Sequence, residues 1–115
     1  MKHAKHEEGA VLASSMDPSS QFTLPRTGHV ITNRSVLAAM TNKQSNEDGT
    51  LSDEEIKWLV RRAKDGFAIT TTAAANVTEH GRGWDGEMGV WGDHQLPGLT
   101  DMATQLKATG TLSLA

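Results

Sequence analysis

The sequence predicts an α/β fold, and three observations predict it. Ser35 to Met40 (SVLAAM) and Phe67 to Thr72 (FAITTT) are apolar or β-branched runs of strand length. Between them lies an amphipathic helical stripe with its own start and stop signals. After the second run, a glycine-rich loop and a second helical stripe lead to a third strand-like segment, Thr111 to Leu114. Strands that alternate with helices in this way form a parallel sheet with crossover helices. Strand starts near residues 36, 67 and 111 give units of roughly 30 to 45 residues, the size of one strand–helix unit in an eight-fold barrel of about 250 residues. An open three-stranded sheet is the alternative.

Taken in order, residues 1–20 are polar, rich in serine and charge, and without periodicity, which predicts a mobile arm. Their apolar run, Ala10 to Ala13, is too short for a signal peptide core or a membrane span, so a cytoplasmic protein is the expectation. Pro25 and Gly28 punctuate two extended pieces, Gln21 to Leu24 and His29 to Thr32, that read as a short β-hairpin. The nearly continuous apolarity of SVLAAM predicts a strand covered on both faces. Asp48-Gly49 then marks a turn, and Ser52 followed by Glu55 forms a capping box that starts a helix. Ile56, Leu59, Val60 and Ala63 give that helix one apolar stripe, and Gly66 stops it.

From Ala73 to Pro97 there is no helical or strand period, only five glycines with Trp84 and Trp91 among them. Long loops of this kind in a small domain are usually functional. Thr100 is expected to cap the second helix, with Leu99, Met102, Ala103 and Leu106 facing inward and Gly110 ending it. Thr111 to Leu114 reads as a third buried strand. A buried parallel strand needs a neighbour on each side, so the expectation is that the chain is the amino-terminal part of a larger sheet. Its apolar edge would then recruit a complementing chain or a second copy.

Composition excludes more chemistry than it suggests. At 37% apolar residues the chain carries enough for a modest core, and a net charge of −3 with both signs mixed marks neither a nucleic-acid surface nor an anionic-membrane patch. The absence of cysteine removes disulfides, thiolate nucleophiles and cysteine-based zinc sites together. His80, Asp85, Glu87, Asp93 and His94 cluster in the long loop, but their spacing fits no metal motif, and solvated loop charges are the expectation. Gly81-Arg82-Gly83-Trp84-Asp85-Gly86 does not open a helix, so its glycines read as turn formers rather than as a phosphate loop. Trp58 stands off its helix's apolar stripe and is expected at a packing boundary.

Several pieces of the chain stand in a characteristic order. They are Asn33-Arg34 leading into SVLAAMT, Asp48-Gly49-Thr50-Leu51-Ser52, Arg62-Ala63-Lys64-Asp65-Gly66, Gly81-Arg82, and Gly89-Val90-Trp91-Gly92-Asp93 followed by Pro97-Gly98-Leu99. By these, the stretch from Leu24 to Ala115 resembles the amino-terminal portion of the old yellow enzyme family, FMN-dependent NADH:flavin oxidoreductases and ene-reductases. The resemblance implies the first three strands and two helices of a (β/α)8 TIM barrel, preceded by the hairpin, with FMN as cofactor and NAD(P)H as reductant. It also implies a small-molecule acceptor such as an activated alkene, and no metal. On the matching positions, Ala39, Met40 and Thr41 touch the flavin, with the Thr41 hydroxyl adjusting its potential, and Thr72 contributes from the second strand. Ala73 takes that place if the match shifts by one residue. Many members carry an aromatic, substrate-contacting residue where this chain has Lys43. The family's catalytic groups fall further along than Ala115, so none is assigned here. Two function classes remain: an FMN oxidoreductase, or an inactive remnant or interaction module that kept the fold and lost the chemistry.

Overall fold

The computed structural model describes residues 17–115, so most of the expected arm over residues 1–20 lies outside them. The chain divides into two units, with the boundary between Ser35 and Val36.

In the first unit, Asp17 accepts hydrogen bonds from the amide and hydroxyl of Ser19 and closes a turn with Ser20. β1 (Phe22–Thr23) pairs antiparallel with β2 (Val30–Ile31), as the Pro25 and Gly28 punctuation predicts. Gly28 takes φ +69 in the connecting loop, a conformation that costs a side chain but not glycine. Arg34 donates to Ser20 Oγ at 2.9 Å and lies 5.0 Å over the Phe22 ring.

In the second unit, β3 (Val36–Leu37), β4 (Ile69–Thr71) and β7 (Leu112–Leu114) form a parallel sheet in that order. Each new strand is added beyond the last without reversal, the progression of a barrel rather than of a doubly wound sheet. α1 (Asp53–Lys64) and α2 (Leu96–Ala108) pack on each other and on the sheet. Their core gathers Leu37, Leu51, Ile56, Leu59, Val60, Ala63, Met88, Met102 and Leu106, so the predicted stripe of α1 is buried in full. Trp58 packs partly buried against this core with the Arg62 guanidinium stacked on its ring at 4.8 Å. α1 starts where its signals place it: Ser52 Oγ accepts from Glu55 N, and Gly66 follows the last turn at φ +115.

Four expectations are corrected. SVLAAM is not covered on both faces: Leu37 is buried in the core, but Val36 is 51% exposed and Ala38 to Met40 are exposed. β3 is an edge strand, and the helices cover only the face that carries Leu37. β7 is a strand with the exposed apolar edge expected of it, Leu114 standing at 47% exposure. The second helix begins at Leu96, not at Thr100, because Pro97 supplies a preset helical φ in the first turn and a 3-10 turn, Asp93–Gln95, feeds into it. Its buried face is Met102 and Leu106 with Leu99 partly covered, and Ala103 is exposed. Finally, the long loop holds regular structure, since β5 (Ala75–Asn76) pairs parallel with β6 (Met88–Gly89).

Candidate functional site

Parallel strands place all their carboxyl ends on one edge, and binding groups in such sheets gather there. Ala39, Met40 and Thr41 follow the carboxyl end of β3, and Thr72 follows that of its neighbour β4. The four predicted residues therefore stand at one end of adjacent strands. Their surroundings differ. Ala39, Met40 and Thr41 are exposed, and none of them makes a hydrogen bond with another described residue. Thr72 is buried at 2% exposure, and its hydroxyl donates to the Ala73 carbonyl at 3.0 Å, while its amide donates to Leu114 O. Ala73 is buried as well.

The segment after Thr41 is held tightly. Asn42 Oδ1 accepts from Gln44 N at 3.1 Å, the side-chain-to-backbone turn typical of asparagine. Lys43, inside that turn, is the one non-glycine residue with positive φ among the described residues, at +53°. Ser45 N donates to Gly86 O at 3.1 Å, and Gly86, at φ +82, sits so close to Lys43 that a Cβ there would lie 2.5 Å from the Lys43 carbonyl oxygen. The Lys43 side chain is exposed and forms no ion pair among the described residues.

Glu55 was predicted to complete a reciprocal capping box, and it does not. Its amide takes the Ser52 cap, but its carboxylate, fully buried, turns to the loop after β3. There Asn42 Nδ2 donates to Oε1 at 3.1 Å and Ser45 Oγ donates to Oε2 at 2.5 Å.

Gln95 ties the two loops at this end of the sheet. Its Oε1 accepts from Trp91 N and Gly92 N at 2.9 and 3.1 Å, and its Nε2 donates to Asp48 O at 3.2 Å. The approach needs glycine on both sides: a Cβ at Gly89 would lie 2.1 Å from Gln95 Nε2, and one at Gly49 would lie 2.8 Å from it. Gly89 N also donates to Gly49 O, and Arg82 Nη1 donates to Glu47 O at 2.6 Å. A cleft of about 230 Å³ lies between these loops, lined in part by Asp48, Asn76, Arg82 and Trp91, and by none of the four predicted residues. Asp48 titrates below its ordinary value of 3.8 because the Thr50 hydroxyl and then the Thr50 amide donate to its carboxylate. Glu87, expected to be a solvated loop charge, is buried, and its carboxylate accepts from Gly83 N. No cluster of metal-ligating side chains and no helix long and apolar enough to cross a membrane occurs among the described residues.

Sequence reasoning missed Glu55 and Gln95 as organisers of this end. For Glu55 a signal existed, an acid directly beside the buried stripe of α1. Gln95 carried none.

The parallel sheet adds its strands without reversal, and at its carboxyl edge stand exposed residues without a hydrogen-bond partner among the described residues, beside two ordered loops, the arrangement of an α/β barrel segment. The chain belongs to the NADH:flavin oxidoreductase / NADH oxidase family, which it matches over residues 26–114. The family uses FMN, with NAD(P)H as reductant. Among curated relatives, the probable NADH-dependent flavin oxidoreductase YqiG of Bacillus subtilis is 38% identical over 85 residues, covering 74% of this chain and 23% of that protein. The NADH:acrylate oxidoreductase of Vibrio harveyi is 32% identical over 77% of this chain and 9% of that protein. The chain thus spans a quarter or less of these relatives. Among solved structures, a 2-naphthoyl-CoA reductase complex superposes with a TM-score of 0.79 at 30% identity, over 84% of this chain and 14% of that one. The old yellow enzyme homologue of Zymomonas mobilis gives 0.77 at 18% identity over 86% and 27%, a likeness of fold. These neighbours are TIM barrels, and the α/β segment described here superposes on a part of each.

Proposed function

We infer that this chain forms part of the FMN site of an NAD(P)H-dependent flavin oxidoreductase whose acceptor is an activated alkene. The observation that carries the reading is the free carboxyl edge of β3, where Ala39, Met40 and Thr41 are exposed and make no hydrogen bond with other described residues. Unpaired backbone groups at a strand end are free to meet a ring edge that both donates and accepts. The alanine side chain leaves room for close approach. Thr41 brings a hydroxyl that no other described residue engages and that can donate toward a ring carbonyl. Thr72 acts by position, since its own hydroxyl is already satisfied by Ala73 O. Bound here, FMN would supply hydride transfer between reduced nicotinamide and the acceptor, and a donor from Thr41 aimed at the ring would favour its reduced, more negative form. The acceptor class is supported by relatives named NADH:acrylate and NADH:fumarate oxidoreductase, whose substrates are α,β-unsaturated carboxylates.

The test is reconstitution with FMN of a complete barrel built around this segment, followed by anaerobic mixing with NADH or NADPH. A bound flavin band that bleaches with nicotinamide and returns on adding acrylate or fumarate is the expected result. Protein that stays colourless after FMN addition and gel filtration would overturn the reading.

A further inference from the structure

A glutamate at the third position of a helix with a serine cap ordinarily reaches back to the cap's amide, half in water. Glu55 gives up that bond and is fully buried beside Ile56. A buried carboxylate is expensive unless hydrogen bonds replace its water. Here the replacements come from two side chains, Asn42 on one oxygen and Ser45 on the other. The first turn of α1 supports the charge, because the amides of a helix amino terminus favour an anion.

Both partners belong to one short segment, and what lies between and beside them is notable. Lys43 between them is held at φ +53, a strained conformation for a side-chain-bearing residue that persists only where the surroundings over-determine it. Thr41 is bonded directly to Asn42. A carboxylate that fixes Asn42 and Ser45 therefore fixes the path of the chain as it leaves the free edge of β3. A leucine at position 55 would fill the same space and hold neither end.

We propose that Glu55 is a positioning residue for the strand-end segment that carries Thr41, acting through Asn42 and Ser45 to fix where the Thr41 backbone and hydroxyl face. The flavin consequence rests on the function proposed above; the clamp itself does not.

The experiment compares Glu55→Ala, Glu55→Gln and Ser45→Ala, with Glu54→Ala, an exposed neighbour, as control. Amide hydrogen exchange on the whole protein is read first. Glu55→Ala is expected to speed exchange at Gln44 and Ser45 by about tenfold or more while Thr70 and Thr71 in β4 stay within about twofold. Glu55→Gln keeps an acceptor for Asn42 and a group that the Ser45 hydroxyl can meet, so it should restore the loop to near wild type. Ser45→Ala leaves the helix untouched, and it decides the matter if Glu55→Ala fails to fold, since it should loosen Gln44 and the remaining loop selectively. Equal acceleration of loop and β4, or no acceleration in either Glu55→Ala or Ser45→Ala, would overturn the clamp. On FMN-loaded protein, Glu55→Ala should move the flavin midpoint potential in the same direction as Thr41→Ala, with Glu55→Gln returning it. A loosened loop with an unmoved potential would overturn the positioning role. Failure of wild-type protein to take up FMN is a separate result that removes the flavin reading and leaves exchange to decide the clamp.

Discussion

Replacing Gly86 with alanine, set against the same change at Gly66, isolates the cost of the close approach between the two loops. Both glycines have positive φ, +82 and +115, so both substitutions force alanine into a disfavoured conformation, which costs about 1–2 kcal/mol. Alanine also stiffens the unfolded chain and returns about 0.4–1 kcal/mol. At Gly66 nothing lies within 4 Å of the new Cβ, so a net loss of about 1 kcal/mol is the whole effect. At Gly86 the Cβ would stand 2.5 Å from the Lys43 carbonyl oxygen and 2.8 Å from its carbon. Backbone cannot rotate away as a side chain can, so the two loops must part. Parting breaks the bond from Ser45 N to Gly86 O and leaves a buried amide unpaired, worth about 1–3 kcal/mol. Gly86→Ala should therefore fall about 1–3 kcal/mol below Gly66→Ala. Urea unfolding followed by tryptophan fluorescence measures this as a difference in midpoint at constant slope. Equal midpoints for the two variants would refute the steric reading of this contact.

Three further outcomes are expected. Leu106→Ala removes a side chain with no exposed surface from the centre of the core and should cost about 2–5 kcal/mol in the same titration. Thr41→Ala in FMN-loaded protein should make the flavin midpoint about 30–60 mV more negative by losing a hydrogen bond to a charged ring, each 30 mV of a two-electron couple being about 1.4 kcal/mol, and spectroelectrochemistry reads it. Asp48 has its pKa lowered by the Thr50 hydroxyl and amide, so its contribution is present above the ordinary value of 3.8 and is lost as pH falls through the lower folded value. Asp48→Asn should accordingly flatten the acid limb of the stability curve below that value, and melts across an acid pH series would show an unchanged limb if the carboxylate were idle.

What the sequence revealed were features written locally. Ser52, the Ile56 to Ala63 stripe and Gly66 are all signals within one helix, and the structure honours each. The hairpin around Pro25 and Gly28 is of the same kind. Burial of Val36 was misjudged because apolarity states that a residue seeks cover and not whether a neighbour supplies it. The start of α2 was misplaced because Thr100 offered a better cap than Gln95, while Pro97 outweighed both. At the candidate site, the placement of Ala39 to Thr41 at a strand end followed from the resemblance. The bonds of Glu55 to Asn42 and of Gln95 to Asp48 span 13 and 47 residues, and no period or motif in a single sequence encodes such pairs.

The Gln95 bridge has an evolutionary corollary. The Gln95 amide, anchored by Trp91 N and Gly92 N in its own loop, donates across to Asp48 O, and with the bonds from Ser45 N to Gly86 O and from Gly89 N to Gly49 O it makes the loop after β3 and the loop after β4 a single mechanical part, glycine at 49 and 89 admitting it. Neither loop can be inherited alone. A graft that brings in one loop from a relative would meet the wrong counterpart at Gly49 or Gln95 and lose order at both strand ends. Transplanted as a pair together with Glu55, residues 42–50 and 75–95 would carry the bonds that fix them. Recombination that diversifies this end of the fold is thus confined to exchanges of the whole unit.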